Sequence, residues 1–293
     1  MRIDLHTHSD RSDGTDSPAE LVHNARAQGI DVLGLTDHDT TEGWQEAAAA
    51  AERTGVALVR GLEISARHLG DSVHLLAYLP DPDHPGLLAE LGRVLDGRNS
   101  RLPAVLAKLR DLGIEIDVGD VRRLAGDAAA MGRPHVADAM VAAGVVADRD
   151  EAFLRFLGPR GPAYVDRYAA DLVTMIGLVR DAGGVSVIAH PWARRYSHHG
   201  LDGPGLEALR EAGLTGLEVD HQDHSDQARS ELRGIADDLG LVATGSSDYH
   251  GTGKRDHDLG CNTTDPDQLD RLLERAAAAS AASGRSTPAV AGR

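Results

Sequence analysis

Residues 2–14 have the sequence RIDLHTHSDRSDG, a short apolar segment that ends in two histidines and runs into an acidic loop. Its composition predicts a strand over Arg2–His6, with His8 and Asp13 just beyond it. Histidine is the commonest side-chain metal ligand, and carboxylates suit harder divalent metals. A single His-x-His is weak evidence, because strand alternation often places two histidines on one face by chance. The case for a metal site therefore depends on the rest of the chain.

Short apolar segments rich in Val, Ile and Leu alternate with helical patterns along most of the chain. Six more segments are predicted strands: Asp31–Thr36, Val56–Ile64, Val73–Tyr78, Val185–His190, Gly216–Asp220 and Leu241–Ser246. Helices are predicted between them, for example over Ser17–Gln28, Thr41–Thr54, Ala170–Ala182 and Asp226–Leu239. Ser17 and Glu20 form a capping-box pattern at the start of the first of these. The alternation predicts an α/β fold with a parallel sheet, and seven strands suit a barrel as well as an open sheet.

Potential ligands recur where these strands end. They are Asp37 and His38, Glu63, His190, and Asp248 with His250. The carboxyl ends of parallel barrel strands meet on one face, where active sites lie. His74 is the exception, because it falls early in its strand. Chance does not readily place so many ligands at the matching end of successive strands, so the pattern predicts a metal site.

One region breaks the alternation. Residues 99–164 contain helical patterns but no strand of the same kind, which predicts a helical insertion that caps the substrate site. The expected organisation is a first barrel part at 1–98, the insertion at 99–164, a second barrel part at 165–275, and a helix end with a disordered tail at 276–293.

Composition narrows the classes of protein. The chain has 293 residues, a formal net charge of −16, fifteen histidines and one cysteine. One cysteine excludes a disulfide framework and a cysteine-based zinc cluster. The acidic balance argues against duplex DNA as a partner. No secretory signal and no run of about 18 apolar residues is present, so no membrane partner is expected and the predicted location is the cytoplasm.

The motifs together resemble the polymerase and histidinol phosphatase (PHP) superfamily. They are DLHTHSDRSDG (4–14), TDHD (36–39), GLE (61–63), His74, AHP (189–191) and GSSDYH (245–250). The resemblance covers about residues 1–260. It implies a distorted seven-stranded (β/α) barrel of the PHP type with two or three divalent metal ions.

The resemblance also implies a ligand scheme. One metal takes His6, His8, Glu63 and Asp248; a second takes Glu63, His74 and His190; a third takes Asp13, His38 and His250. Imidazole and carboxylate without thiolate suit Mn²⁺, Fe²⁺ or Zn²⁺ alike. The expected ion is Mn²⁺, with Fe²⁺ or Zn²⁺ as alternatives. Such a centre would clamp a phosphoryl group while a metal-bridging hydroxide attacks phosphorus. Asp4 and Asp37 are expected to orient the imidazoles.

The insertion indicates the substrate. The motif MGRPHVA (131–137) resembles the PHP subgroup of 3′,5′-nucleoside bisphosphate phosphatases and 5′-3′ exoribonucleases. Arg133 with Pro134 at a helix start is a plausible phosphate site. Further substrate contacts are expected from His135, Arg98, Arg101 and Arg160. The expected partner is a small phosphorylated nucleotide or the 5′ end of short RNA.

Other assignments remain open at this stage. His221 is a candidate general acid or phosphate contact. The histidines expected at the surface are His23, His68, His84, His198, His199, His224 and His257.

Histidinol-phosphate phosphatase is an alternative activity that the large insertion disfavours. A non-catalytic metal-binding scaffold is a second alternative, which the intact ligand set disfavours.

Overall fold

A computed structural model describes residues 1–193 and 200–292. The predicted surface positions His198 and His199 lie outside these residues. The strands are β1 (Ile3–Thr7), β2 (Val32–Leu35), β3 (Ala57–His68), β4 (Asp71–Tyr78), β5 (Ala170–Asp171), β6 (Val185–Ile188), β7 (Gly216–Asp220) and β8 (Val242–Gly245). The helices are α1 (Pro18–Ala27), α2 (Trp44–Thr54), α3 (Pro85–Asp111), α4 (Val118–Ala125), α5 (Arg133–Ala142), α6 (Arg149–Ala152), α7 (Leu172–Asp181), α8 (Gly203–Ala212), α9 (Asp226–Leu239) and α10 (Pro266–Ser283).

Seven strands follow one another in the order β1-β2-β3-β4-β6-β7-β8, and the short β5 pairs with β3 outside this path. A hydrogen bond from the His8 amide to the Tyr249 carbonyl, 2.8 Å long, connects the end of β1 to the segment after β8. The sheet is therefore nearly closed into a barrel, as the sequence predicted.

The barrel is distorted because β4 runs antiparallel to both of its neighbours, β3 and β6. The early residues of β4 therefore lie beside the late residues of β3, and His74 pairs with Ser65. This explains why His74 reaches the same face as the other ligands although it comes early in its strand. The expectation of a wholly parallel sheet was wrong at this strand.

The local signals at α1 are confirmed. Ser17 caps the helix, Pro18 is its first residue, and Glu20 completes the capping box. The predicted helix over Ala170–Ala182 begins later, because Ala170 and Asp171 pair with β3 before α7 starts. Asp171 then caps α7 through the Thr174 amide.

The insertion has a hydrophobic cluster of its own, formed by α3, α4 and α5 and the π-helical turn Phe153–Leu157, and including Leu106, Leu109, Met140 and Leu157. The expected boundary at residue 98 falls inside α3, which continues through Pro103 as one 27-residue helix. Proline inside a helix usually breaks it, so the sequence hides this continuity.

The end of the chain differs from the expected disordered tail. Ala291 exchanges two backbone hydrogen bonds with Leu58, and Arg285 forms an ion pair with Asp81 at 2.8 Å. The backbone of residue 291 thus pairs with β3, an interaction that the Ala-, Ser- and Gly-rich composition does not signal.

Candidate active site

The structure gathers the nine predicted metal ligands at one end of the barrel. Glu63 lies at their centre. Its Oε1 is 2.8 Å from Nδ1 of His74 and 3.1 Å from Nε2 of His190. Its Oε2 is 3.1 Å from Nδ1 of His38 and 3.3 Å from Nε2 of His8. Glu63 thus contacts ligands of both metals that the resemblance expects it to bridge, and in addition His38 of the third set.

His6, His8 and Asp248 form the first cluster. The two Nε2 atoms lie 3.1 Å apart, and both lie 3.3–3.4 Å from Oδ1 of Asp248. All three side chains are buried. Buried imidazole nitrogens and carboxylate oxygens that converge in this way form a donor set for a divalent cation. The residues present therefore fit the implied metal.

Asp13, His38 and His250 form the outer cluster. Asp13 Oδ1 is 3.3 Å from Nε2 of His250, and its Oδ2 is 3.7 Å from Nε2 of His38. His8 also approaches, with Nδ1 3.7 Å from Asp13. His8 thus borders both clusters, which places them side by side.

Two ligands have strained backbones. The φ of His190 is +28° and that of Asp248 is +54°, values that non-glycine residues seldom adopt. Residues held in such conformations cluster at functional sites. The His190 amide is fixed by a 2.8 Å hydrogen bond to Glu218.

Burial and charge shift the pKa values of these groups strongly. Burial alone would lower the pKa of His8, but Asp248 and Glu63 raise it to about 9. Burial lowers the pKa of His38 to about 3. Burial also opposes ionisation of Glu63, yet the surrounding histidines, His74 first, hold its pKa well below the usual range. The carboxylates are therefore ionised at neutral pH and ready to bind cations.

The carboxylates expected to orient imidazoles behave differently. Asp4 accepts hydrogen bonds from the amides of Ser247 and Gly260, and burial raises its pKa to about 6. Asp37 accepts from the Ser9 amide and from the hydroxyls of Ser9 and Ser12. The side chains of Asp4 and Asp37 thus fix loops rather than imidazoles directly.

Glu218 of β7 has the role expected of those aspartates, and the sequence reasoning missed it. Its Oε1 is 3.1 Å from Nδ1 of His6, and it is fully buried. Despite burial, His6 lowers the pKa of Glu218 to about 2. A glutamate in the middle of an apolar strand was the available signal, because a buried carboxylate needs a partner.

The position of His221 does not match the expected contact with substrate. It is fully buried, and its Nε2 lies 3.3 Å from Oδ2 of Asp248. Its Nδ1 accepts the Asp223 amide, so the proton lies on Nε2 and points to Asp248. His221 therefore orients a ligand and does not line the cavity described below. His224 and His257, expected at the surface, are also buried.

A cavity of about 290 Å³ opens over the ligands. Its lining includes predicted ligands, among them Glu63, His190 and Asp248. It also includes Arg101 with the nearby Arg98, Arg133 and Arg167, which together are called the arginine side, and the further cations Arg149 and Lys254. The acidic chain thus presents a local positive surface beside its metal ligands, which suits a phosphorylated substrate.

Arg101 is the cation that most needs a partner. It is 7% exposed, and no hydrogen bond or ion pair holds its guanidinium among the residues that the structure describes. Burial and the nearby charges of Arg133, Arg167 and Arg98 lower its pKa to about 9, so it is still a cation at neutral pH. A buried cation without a counter-charge is costly, and an anionic ligand would relieve that cost.

Of the other predicted substrate residues, Arg98 and Arg133 line the same cavity. Arg98 is already bound to Asp39 and Ser65, each at 2.8 Å. Arg133 donates to the Leu157 carbonyl and lies over the ring of Tyr164.

His135 and Arg160 do not line the cavity. His135 is buried, and its Nδ1 accepts the Gly132 amide at the start of α5. Arg160 is exposed.

The sequence reasoning missed Arg167 and Lys254. Arg167 follows the insertion directly, and Lys254 has its Nζ 2.5 Å from Oδ2 of Asp248. Neither belongs to a motif, so only the fold reveals that they face the cavity.

A barrel that presents imidazoles and carboxylates at one end, beneath a cationic cavity, defines a metal-dependent hydrolase of phosphate esters. Comparisons with known proteins agree. The PHP domain model matches residues 4–96. A 3′,5′-nucleoside bisphosphate phosphatase of Chromobacterium violaceum is 35% identical over 88% of this chain and 90% of its own. A 5′-3′ exoribonuclease of Haemophilus influenzae is 35% identical over 85% of this chain and 90% of its own.

A solved structure is equally similar. A Bifidobacterium adolescentis protein assigned as a metal-dependent phosphoesterase superposes with a TM-score of 0.89 at 36% identity, covering 93% of this chain and 96% of its own. The chain therefore belongs to the PHP family of metal-dependent phosphoesterases. Among the described residues, no helix is long and apolar enough to span a membrane.

Proposed function

We propose that the chain removes the 3′-phosphate from nucleoside 3′,5′-bisphosphates. The observation that carries this proposal is one cavity with two sets of anion-binding groups: the predicted metal ligands, and the arginine side with the unpaired buried Arg101. A substrate with two phosphates satisfies both sets together. The name of the relative from Chromobacterium violaceum supports this substrate class, and that of the relative from Haemophilus influenzae supports action on RNA.

The nine ligands would hold two or three divalent ions, and we propose Mn²⁺. When bound, such ions would polarise the phosphoryl group and lower the pKa of a water molecule, so that it loses a proton and becomes a stronger nucleophile. Glu63 keeps the clusters together, while Glu218 and His221 hold His6 and Asp248 in orientation. Elemental analysis of the purified protein tests the choice of Mn²⁺ over Fe²⁺ and Zn²⁺.

Arg101, Arg133 and Arg167 would bind the 5′-phosphate. Arg98 is already paired with Asp39. It therefore lines the cavity and adds positive charge, but it is not proposed to donate hydrogen bonds to the substrate. Lys254 lies beside the predicted metal ligand Asp248, where its ammonium can contact the 3′-phosphate. His135 supports the site by capping α5 and not by touching substrate.

Short RNA with a 5′-phosphate presents the same chemistry. Its terminal phosphate would occupy the arginine side, and the next phosphodiester would lie over the metal ligands. We propose 5′-to-3′ exonuclease action on such RNA as a related activity. The net charge of −16 favours short oligomers held at one end over long strands.

Histidinol phosphate fits the cavity less well. It carries a single phosphate, which leaves the arginine side without a partner, and its amine would be repelled by those arginines. A non-catalytic scaffold has no need for a cationic cavity over intact ligands.

A substrate panel tests the proposed function. Phosphate release by the Mn²⁺-loaded protein is measured with adenosine 3′,5′-bisphosphate, adenosine 3′-monophosphate and histidinol phosphate. We expect the highest kcat/KM for the bisphosphate. Preference for histidinol phosphate would contradict the proposal in favour of the alternative enzyme.

Arg101→Met tests the role of the arginine side. Loss of a charged hydrogen-bond partner costs about 1.5–3 kcal/mol, so KM for the bisphosphate should rise about 10- to 100-fold. The 3′-monophosphate should be affected much less, because it has no 5′-phosphate. Arg122→Met, which removes an exposed arginine of α4, is the matched control. Equal effects on both substrates would contradict the assignment.

A further inference from the structure

The loop that carries Asp13 is held from outside the barrel by the helical insertion. The amide of Ala129 donates to the Arg11 carbonyl at 2.9 Å, and Arg11 forms an ion pair with Asp127 at 3.2 Å. Two residues after Arg11, the carbonyl of Asp13 accepts a 2.8 Å hydrogen bond from Nη1 of Arg149. The backbone of a metal ligand is thus fixed by a side chain of another part of the chain.

Arg149 is itself held rigidly. Its Nε and Nη2 donate to the two carboxylate oxygens of Asp138, at 2.6 and 2.7 Å. The Arg149 side chain is 12% exposed. A two-point contact between a guanidinium and a carboxylate fixes orientation as well as distance. The remaining Nη1 is therefore aimed at Asp13 before any ligand arrives.

A second ligand-bearing loop contacts the same guanidinium. Gly253 follows His250 by three residues, and a Cβ there would lie 2.3 Å from Nη1 of Arg149. Because Gly253 has no Cβ, the guanidinium of Arg149 can lie against its backbone. Arg149 therefore lies between the loop of Asp13 and the loop of His250, whose side chains approach each other at 3.3 Å.

We propose that Arg149, held by Asp138, is a positioning residue for the outer cation, the one that Asp13, His38 and His250 would bind. It sets the Asp13 backbone and so the separation of Asp13 from the two histidines. It makes no contact with His6, Glu63, His74 or His190 within the described residues, so it should not affect the two inner cations. The proposal rests on the three-cation centre and is independent of the choice of substrate.

Titration of the metal-free protein with Mn²⁺ tests this proposal. Binding is followed by calorimetry and by the loss of the free Mn²⁺ spin-resonance signal, and neither readout requires activity. In Arg149→Met we expect two equivalents to bind as in the unchanged protein. The third should bind about 10- to 100-fold more weakly, which is the usual effect of removing a group that orients a ligand.

Two further variants complete the test. Asp138→Asn keeps the guanidinium but loosens it, so the same third equivalent should weaken by a smaller factor. Arg155→Met removes an arginine of the insertion that pairs with Glu151 and is half exposed, and all three equivalents should be unchanged. If Arg149→Met does not fold, Arg149→Lys and Asp138→Asn provide the measurement.

An unchanged third equivalent in Arg149→Met and Asp138→Asn would overturn the proposal. Equal weakening of all three equivalents would also overturn it, because Arg149 would then support the fold in general. So would a stoichiometry of two in the unchanged protein. The proposed substrate could still be correct in each case, since phosphate release is measured separately.

Discussion

Glu63 shows how a single residue organises the centre. Its two oxygens lie within 3.4 Å of five histidines, and its side chain is almost fully buried. A buried carboxylate of this kind is stable only with cationic partners. In the metal-free protein the histidines supply that charge, and bound metal ions would supply it in the loaded protein.

Glu63→Gln tests this role. The amide keeps the shape but removes the charge, so we expect the loss of about two metal equivalents. Phosphate release should fall at least about 100-fold, because catalysis depends on the metals. Glu231→Gln, at an exposed position of α9, is the control. Metal analysis that finds a full complement in Glu63→Gln would contradict the bridging assignment.

The sequence could predict most of the proposed ligands because they are polar residues at or just beyond the place where an apolar strand ends, with His74 as the exception. It could not predict which arginines face the cavity. Arg101 and Arg160 look alike along the chain, yet Arg101 is buried beside the ligands and Arg160 is exposed. That difference arises from how α3 packs against the other helices of the insertion. A pattern of residue types along the chain does not indicate it.

The elements that differ from expectation are those controlled by tertiary pairing. The direction of β4 follows from its hairpin with β3, which turns at Leu69 and Gly70 with positive φ values of +47° and +96°. The continuity of α3 follows from packing on both the barrel and the insertion, since Leu91 belongs to the barrel cluster and Leu106 to that of the insertion. Hydrophobic periodicity in the sequence indicates neither the direction of β4 nor the continuity of α3.

Met140→Ala tests whether the insertion is a packed element. Met140 of α5 is fully buried in the cluster of the insertion. Truncation should cost about 2–5 kcal/mol in the free energy of unfolding, measured by urea denaturation. A cost near that of an exposed position such as Val141→Ala would show that the insertion is loosely packed.

At the scale of the whole molecule, an acidic chain carries a cationic cavity. The net charge of −16 and the arginines of the cavity are compatible because buried carboxylates and histidines form one compensated cluster beneath them. Bound cations would make the local charge more positive still. The composition therefore argues against broad electrostatic binding of nucleic acid but not against binding of a phosphorylated end.

The compensated cluster predicts a pH dependence of metal binding. Asp248 and Glu63 raise the pKa of His8 to about 9 in the metal-free protein, so at pH 7 its imidazole carries a proton that a cation must displace. Metal affinity should therefore increase as the pH rises towards 9, and binding at pH 7 should release protons. Calorimetry in two buffers with different ionisation enthalpies measures this release. Identical heats in both buffers would contradict the prediction.

The most direct test of the proposed reaction identifies the bond that is cleaved. The Mn²⁺-loaded protein is incubated with adenosine 3′,5′-bisphosphate, and the nucleotide product is identified by chromatography. The proposed function predicts adenosine 5′-monophosphate and one equivalent of phosphate, with no reaction after chelation and recovery when Mn²⁺ is restored. Adenosine 3′-monophosphate as the product, or no release of phosphate from the loaded protein, would contradict it.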